Sequence, residues 1–152
     1  SGVASGVWKV IYRINGGIWQ ETEADITSFN LTGADGTYLI DYYSIDNVQN
    51  TEATRQDSLI LDNTPPITGI NMGEPKCQGI GYGVWYITSH TPINLTASDN
   101  LSGVDKTQYY TDTEPFIIYD SPFTITGEDG LHTVYYHSID NVENIEVIKD
   151  TT

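Results

Sequence analysis

Along WKVIYRI (8–14), Trp8, Val10, Tyr12 and Ile14 fall on one side of an extended chain, and Lys9 and Arg13 on the other. A period of two is the mark of a half-buried strand. Asn15-Gly16-Gly17 comes next and tolerates positive φ, which predicts a tight hairpin back into IWQE (18–21). TYLIDYYS (37–44) alternates in the same way, with Ile40, Tyr42 and Ser44 expected inward and Asp41 and Tyr43 outward. LHTVYYHS (131–138) keeps Val134, Tyr136 and Ser138 in that register. SLILD (58–62), ITGIN (67–71), VWYIT (84–88) and PINLTAS (92–98) predict further strands, with MGEPKCQGIGYG (72–83) as a loop. Helical periodicity is missing over any useful length. Short strands parted by turn clusters predict an all-β sandwich.

The pattern also repeats. FNLTGADGTYLIDYYSIDNVQN (29–50) aligns without a gap to FTITGEDGLHTVYYHSIDNVEN (123–144), identical at twelve of twenty-two positions. Upstream, SGVWKVIYRING (5–16) aligns to SGVDKTQYYTDT (102–113), with the spacing shortened by three residues. A duplicated phrase of this length marks a structural unit rather than an active site. Pro65 and Pro66 cannot sit in a central strand and stiffen the joint between copies. The expected division is therefore 1–64 and 65–152, with the first unit lacking counterparts of residues 67–98 and so its opening strands.

Composition narrows the class. A net charge of −15 on 152 residues excludes nucleic acid as a natural partner, since phosphate binding needs Lys and Arg. It suits a highly soluble surface or divalent cation sites. The single Cys77 cannot form an intrachain disulfide; a buried, small apolar role is expected for it, with an intermolecular bridge as the alternative. No apolar run is long enough for a membrane-spanning helix.

The order TPP, a strand, YIT…TPINLTASDNLSGV, YRINGG, and then G.H..YY.S.DN..N resembles tandem immunoglobulin-like or fibronectin-type-III-like repeats. Such repeats, including modules labelled OmpL47-type, occur in large secreted and cell-surface proteins of archaea and bacteria. The resemblance covers nearly the whole chain. It implies tandem β-sandwich modules that act as spacers, adhesive stalks or appendages of secreted hydrolases, with no catalytic residue of their own. It also implies an extracellular or cell-surface location, and neighbouring repeats, glycans or another cell surface as partners. The missing strands add another expectation: an open sheet edge that identical subunits could fill, giving a filament joined by donor-strand complementation.

Candidate chemistry is sparse. Asp46 with Asn50, and Asp140 with Asn144, lie in the repeated Ser-x-Asp-Asn-x-x-Asn phrase, where a strand-end carboxylate would accept turn amides. The alternative is calcium, held by these hard oxygen ligands or by the Asp99 loop with Asp105, although the spacing is not that of an EF-hand. His132 and His137 take the places of Tyr38 and Tyr43 in the other copy, which favours a structural role, and His90 has no companion at zinc-ligand spacing. Asn30, Asn94 and Asn100 open Asn-x-Ser/Thr tripeptides, acceptors for glycosylation in a secreted protein. Trp8, Trp19 and Trp85 are expected to cover the core rather than form a sugar platform. The G-x-S-x-G nucleophile motif is absent, and no acid stands alone in an apolar run as a glycosidase pair would require. The expectation is a non-enzyme.

Overall fold

The computed structural model describes residues 5–22, 28–80, 83–113 and 115–151, and these are all-β. The chain divides into two compact units, Ser1–Asp62 and Asn63–Thr152.

The first unit is one antiparallel sheet of order β2-β1-β3-β4, where β1 is Val7–Ile14, β2 Gln20–Thr22, β3 Gly36–Asp46 and β4 Arg55–Leu61. Asn15 and Gly16 both have positive φ, 50° and 69°, and the Gly17 amide donates to the Ile14 carbonyl at 2.9 Å. The hairpin read from Asn-Gly-Gly is therefore present, and it sets Tyr12 opposite Gln20.

One face of this sheet carries Val10, Tyr12, Ile40, Tyr42 and Leu59, with Phe29 stacked on Tyr12 at 4.6 Å and 3°. Leu59 is 44% exposed, and a groove runs along the face. The other face was expected to be merely polar. Instead Ile11 and Asp41 are buried there. Arg13 Nε donates to Asp41 at 2.7 Å, Gln56 Nε2 donates to its second oxygen at 2.7 Å, and the guanidinium lies 4.5 Å from the Trp19 ring. Asp41 thus points outward, as its register requires, but the long side chains beside it close over it.

In the second unit two layers meet. One is a sheet of order β10-β9-β11-β12, formed by β9 Val104–Thr111, β10 Ile117–Ile118, β11 Val134–Asp140 and β12 Lys149–Thr151. The other is the antiparallel pair β5 Ile67–Met72 and β8 Ile93–Ser98. Met72, Ile93 and Leu95 from the pair bury against Val134 and Tyr136 from the sheet, with Tyr109 and Phe123 packed alongside. Two sheets interleaving alternate side chains make a β-sandwich core. The segment expected to be a loop contains a strand, β6 Lys76–Gln78, which pairs with β7 Trp85–Ile87; Gly81 and Tyr82 lie outside the described residues.

Both β1 and β9 carry a bulge at their start. Val7 pairs with Asp46 and Lys9 with Ile45, so Trp8 is the extra residue, and Asp105 is the extra residue between Val104 and Lys106. The bulge takes Trp8 off the face of Val10 and Tyr12, contrary to the simple alternation. Trp8 is 39% exposed beside the Lys9 ammonium, and Trp19 is 38% exposed; only Trp85 packs against the core as expected. Cys77, on the two-stranded β6–β7 arm, is exposed rather than buried.

Candidate functional site

The Asp-Asn phrases close two turns with the same set of bonds. Asp46 Oδ1 accepts the amides of Val48 and Asn50, at 3.0 and 2.8 Å. Its Oδ2 accepts the Asn50 side-chain amide and the Ser5 hydroxyl, each at 2.9 Å. Asp140 Oδ1 accepts the amides of Val142 and Asn144, and Oδ2 accepts the Asn144 side chain, at 3.0, 2.8 and 2.7 Å. The Ser102 side chain, at the position of Ser5, also favours the charged form of Asp140. Asn47 and Asn141 each bind back to the Ser-Gly pair that opens β1 or β9. Gln49 and Glu143 take the left-handed conformation, at φ 68° and 70°, while Asn50 and Asn144 close the turn.

These donors govern the carboxyls. Asn50 foremost holds Asp46 below the usual carboxylate range. Burial pushes Asp140 upward, but Asn144, the Val142 amide and Ser102 outweigh it and hold it low. Asp46 accepts four protein donors and Asp140 three, so both oxygens of each carboxylate are engaged. A carboxylate oxygen of Asp99 comes within 4.8 Å of one from Asp140, and Asp99 itself accepts the amides of Leu101 and Gly103. Asp105 stands apart, exposed and paired with Lys106 at 3.1 Å.

Among the described residues, His132 is the imidazole in direct contact with an acid. Its Nδ1 lies 2.7 Å from Asp112 Oδ2 and its Nε2 lies 3.0 Å from the Glu128 carbonyl. A carboxylate–imidazole pair forms the rear of a nucleophilic triad, but there the second nitrogen must face a nucleophile. Here it braces a turn. Tyr38 does the same in the first unit, its hydroxyl donating to the Ala34 carbonyl at 2.8 Å. His137 is buried, stacked on Phe116 at 4.5 Å. Tyr43 packs edge-on against Trp19 in the matching place.

A cleft in the second unit runs between β7 and the 127–131 loop, lined by Trp85, Ile87, Ile125, Leu131, Val134 and His132. Its imidazole is already committed to the turn. Of the sequons, Asn30 and Asn100 are exposed and Asn94 is half-buried on β8 opposite Asn71.

A group absent from the sequence reading turns out to be central to the second unit. Glu146, 7% exposed, accepts the Thr68 amide at 2.9 Å, the Thr68 hydroxyl at 2.5 Å and the Ser138 amide at 3.2 Å, and pairs with Lys149 at 2.5 Å. Burial pushes this carboxyl up, but Lys149 and Thr68 more than offset it and keep it charged. Glu52 is the counterpart in the first unit. Its side chain accepts the Ser44 hydroxyl at 2.9 Å and pairs with Arg55. The signal lay two residues beyond the repeated phrase, where both copies read Glu-x-x-Arg/Lys.

No family model matches this chain, and no curated protein matches it in sequence.

Proposed function

We propose that the chain is a non-catalytic pair of related immunoglobulin-like or fibronectin-type-III-like modules, serving as a spacer or adhesive stalk in a secreted or cell-surface protein. One observation carries the reading. Asp46 and Asp140 close their turns with the same bonds, so the side chains that look most chemical are consumed in repeating a scaffold. Matching pairs at Phe29–Tyr12 and Phe123–Tyr109, both stacked, favour descent of the two units from one module. Catalysis would need a nucleophile, acid or base with a free reactive atom, and His132 has both ring nitrogens engaged. The role needs no metal. Calcium at Asp46 or Asp140 would have to compete with protein donors on both oxygens of each carboxylate.

Single-molecule stretching tests the reading. Two modules should give two separate unfolding steps, and a glycan array should give no binding. A single merged unfolding step would sink the modular reading. A glycan that binds in the Trp85 cleft would convert the protein into a binding module.

A further inference from the structure

We infer that the open face of β1, β3 and β4 seats a two-stranded β element of the β5–β8 kind, locked by a threonine on Glu52. The inference rests on the modular reading and names the partner that completes the first module.

The second unit shows what such a face binds. There β5 places Thr68 so that its amide and hydroxyl both close on Glu146, and the Thr68 hydroxyl also meets Ser138 at 2.6 Å. From β8, Ile93 exchanges backbone hydrogen bonds with Phe123, at 2.7 and 3.1 Å. Met72, Ile93 and Leu95 then cover Val134 and Tyr136.

Among the described residues, each receptor group recurs in the first unit without its covering. Glu52 and Ser44 stand where Glu146 and Ser138 do, each Glu amide donating to the Ser carbonyl, at 2.9 and 3.0 Å. The Glu52 side chain is 31% exposed, against 7% for Glu146. Phe29 stacks on Tyr12 as Phe123 stacks on Tyr109, but its backbone amide and carbonyl have no partner among the described residues. Ile40 and Tyr42, matching Val134 and Tyr136, line an open groove instead of a core. The face therefore offers a carboxylate for a threonine, a backbone pair for an edge residue and an apolar floor between them.

The occupant follows from this chemistry. It is an antiparallel strand pair with threonine near the start of one strand and alternating aliphatic residues facing inward. An intact second copy does not supply it, because its own β5–β8 pair would have to leave Val134 and Tyr136 and expose Ile93, which is fully buried. The partner is a separate segment of this same strand-pair type.

A graft tests this directly. A second copy of residues 65–101 is joined to Ser5 of the full chain, reproducing the connection that leads into Ser102. The expected result is a higher melting midpoint for the first unit and exchange at the Phe29 amide slowed by at least about tenfold. Changing the grafted threonine to alanine, or Glu52→Gln, should remove much of the gain. A graft whose amides exchange freely, with an unmoved midpoint, overturns the inference even if two unfolding steps persist under force. A merged single step would instead strike the modular reading beneath it. Dimerisation of the ungrafted chain through Phe29 and Leu59, unaffected by the graft, overturns it in favour of a second copy.

Discussion

His132 Nδ1 lies 2.7 Å from a carboxylate oxygen of Asp112, linking the residue just after β9 to the segment that leads into β11. The Asp112 carboxylate, with the Glu128 carbonyl behind it, raises the imidazole above its ordinary value and is itself lowered. A raised folded value means that the stabilisation is fully present below about pH 6.5, the unfolded value, and is lost as pH rises through the folded one. An NMR titration should place the His132 midpoint above that of a free imidazole. Asp112→Asn should bring it back down, and an unchanged midpoint would show that the pair does not govern it.

His137 should behave in the opposite sense. Burial lowers it, with Glu146 opposing, and its Nδ1 has no hydrogen-bond partner among the described residues. The ring is neutral in the fold, so stability holds above about pH 6.5 and falls as pH drops from there through the folded value. His137→Phe should abolish that acid-side loss in urea titrations and change stability at neutral pH by about 1 kcal/mol or less. Persistence of the loss in the variant would assign it elsewhere.

Asp140→Ala should be more damaging than Asp46→Ala, because Asp140 is 1% exposed and its donors would be left in the interior. Asp41→Ala should also lower the urea midpoint, since it frees Arg13 and Gln56 from the acceptor they share. If Asp41→Ala melts like the unaltered chain, the cover seen over that carboxylate contributes nothing.

Glu146→Ala should cost about 2–4 kcal/mol by stranding Thr68, Ser138 and Lys149 together. Ile93→Ala should cost a similar amount, about 2–5 kcal/mol, through the cavity it leaves. The unfolding step of the second unit reports both. A loss below about 1 kcal/mol at Glu146 would mean that water replaces its bonds without penalty.

Melting in excess EDTA and in millimolar calcium should give the same midpoint, because protein donors already engage both oxygens of Asp46 and of Asp140. A midpoint that climbs with calcium concentration would place a native-state site on this acidic chain, with Asp99 the first residue to alter.

Much of the fold was legible because strands with one buried face must alternate, and β11 does so at Val134 and Tyr136. The turn role of Asp46 and Asp140 was legible too, since a carboxylate at a strand end has nearby amides to accept. Alternation failed at Trp8 because a bulge adds one residue to the strand, and strict periodicity has no term for that. Asp41 was misjudged because direction does not fix exposure when Arg13 and Gln56 are long enough to fold over it. Cys77 departs from the expectation because residue type alone does not fix burial, and the short β6–β7 arm leaves it in solvent. Glu146 was missed because its main partner, Thr68, lies seventy-eight residues away.

The Thr68 contacts also decide how the second unit would bear load. Tension applied through its first and last strands enters at β5 and leaves at β12. Thr68 on β5 is tied to Glu146 through its amide and hydroxyl, and its carbonyl accepts from Lys149, on β12 itself, at 2.7 Å. These bonds join the two pulled segments directly, so they must give way together before the core behind them is exposed. Rupture under force is governed by the unfolding barrier rather than by equilibrium stability. Thr68→Val, which removes the hydroxyl bond to Glu146 and keeps the two backbone bonds, should lower the rupture force of this unit.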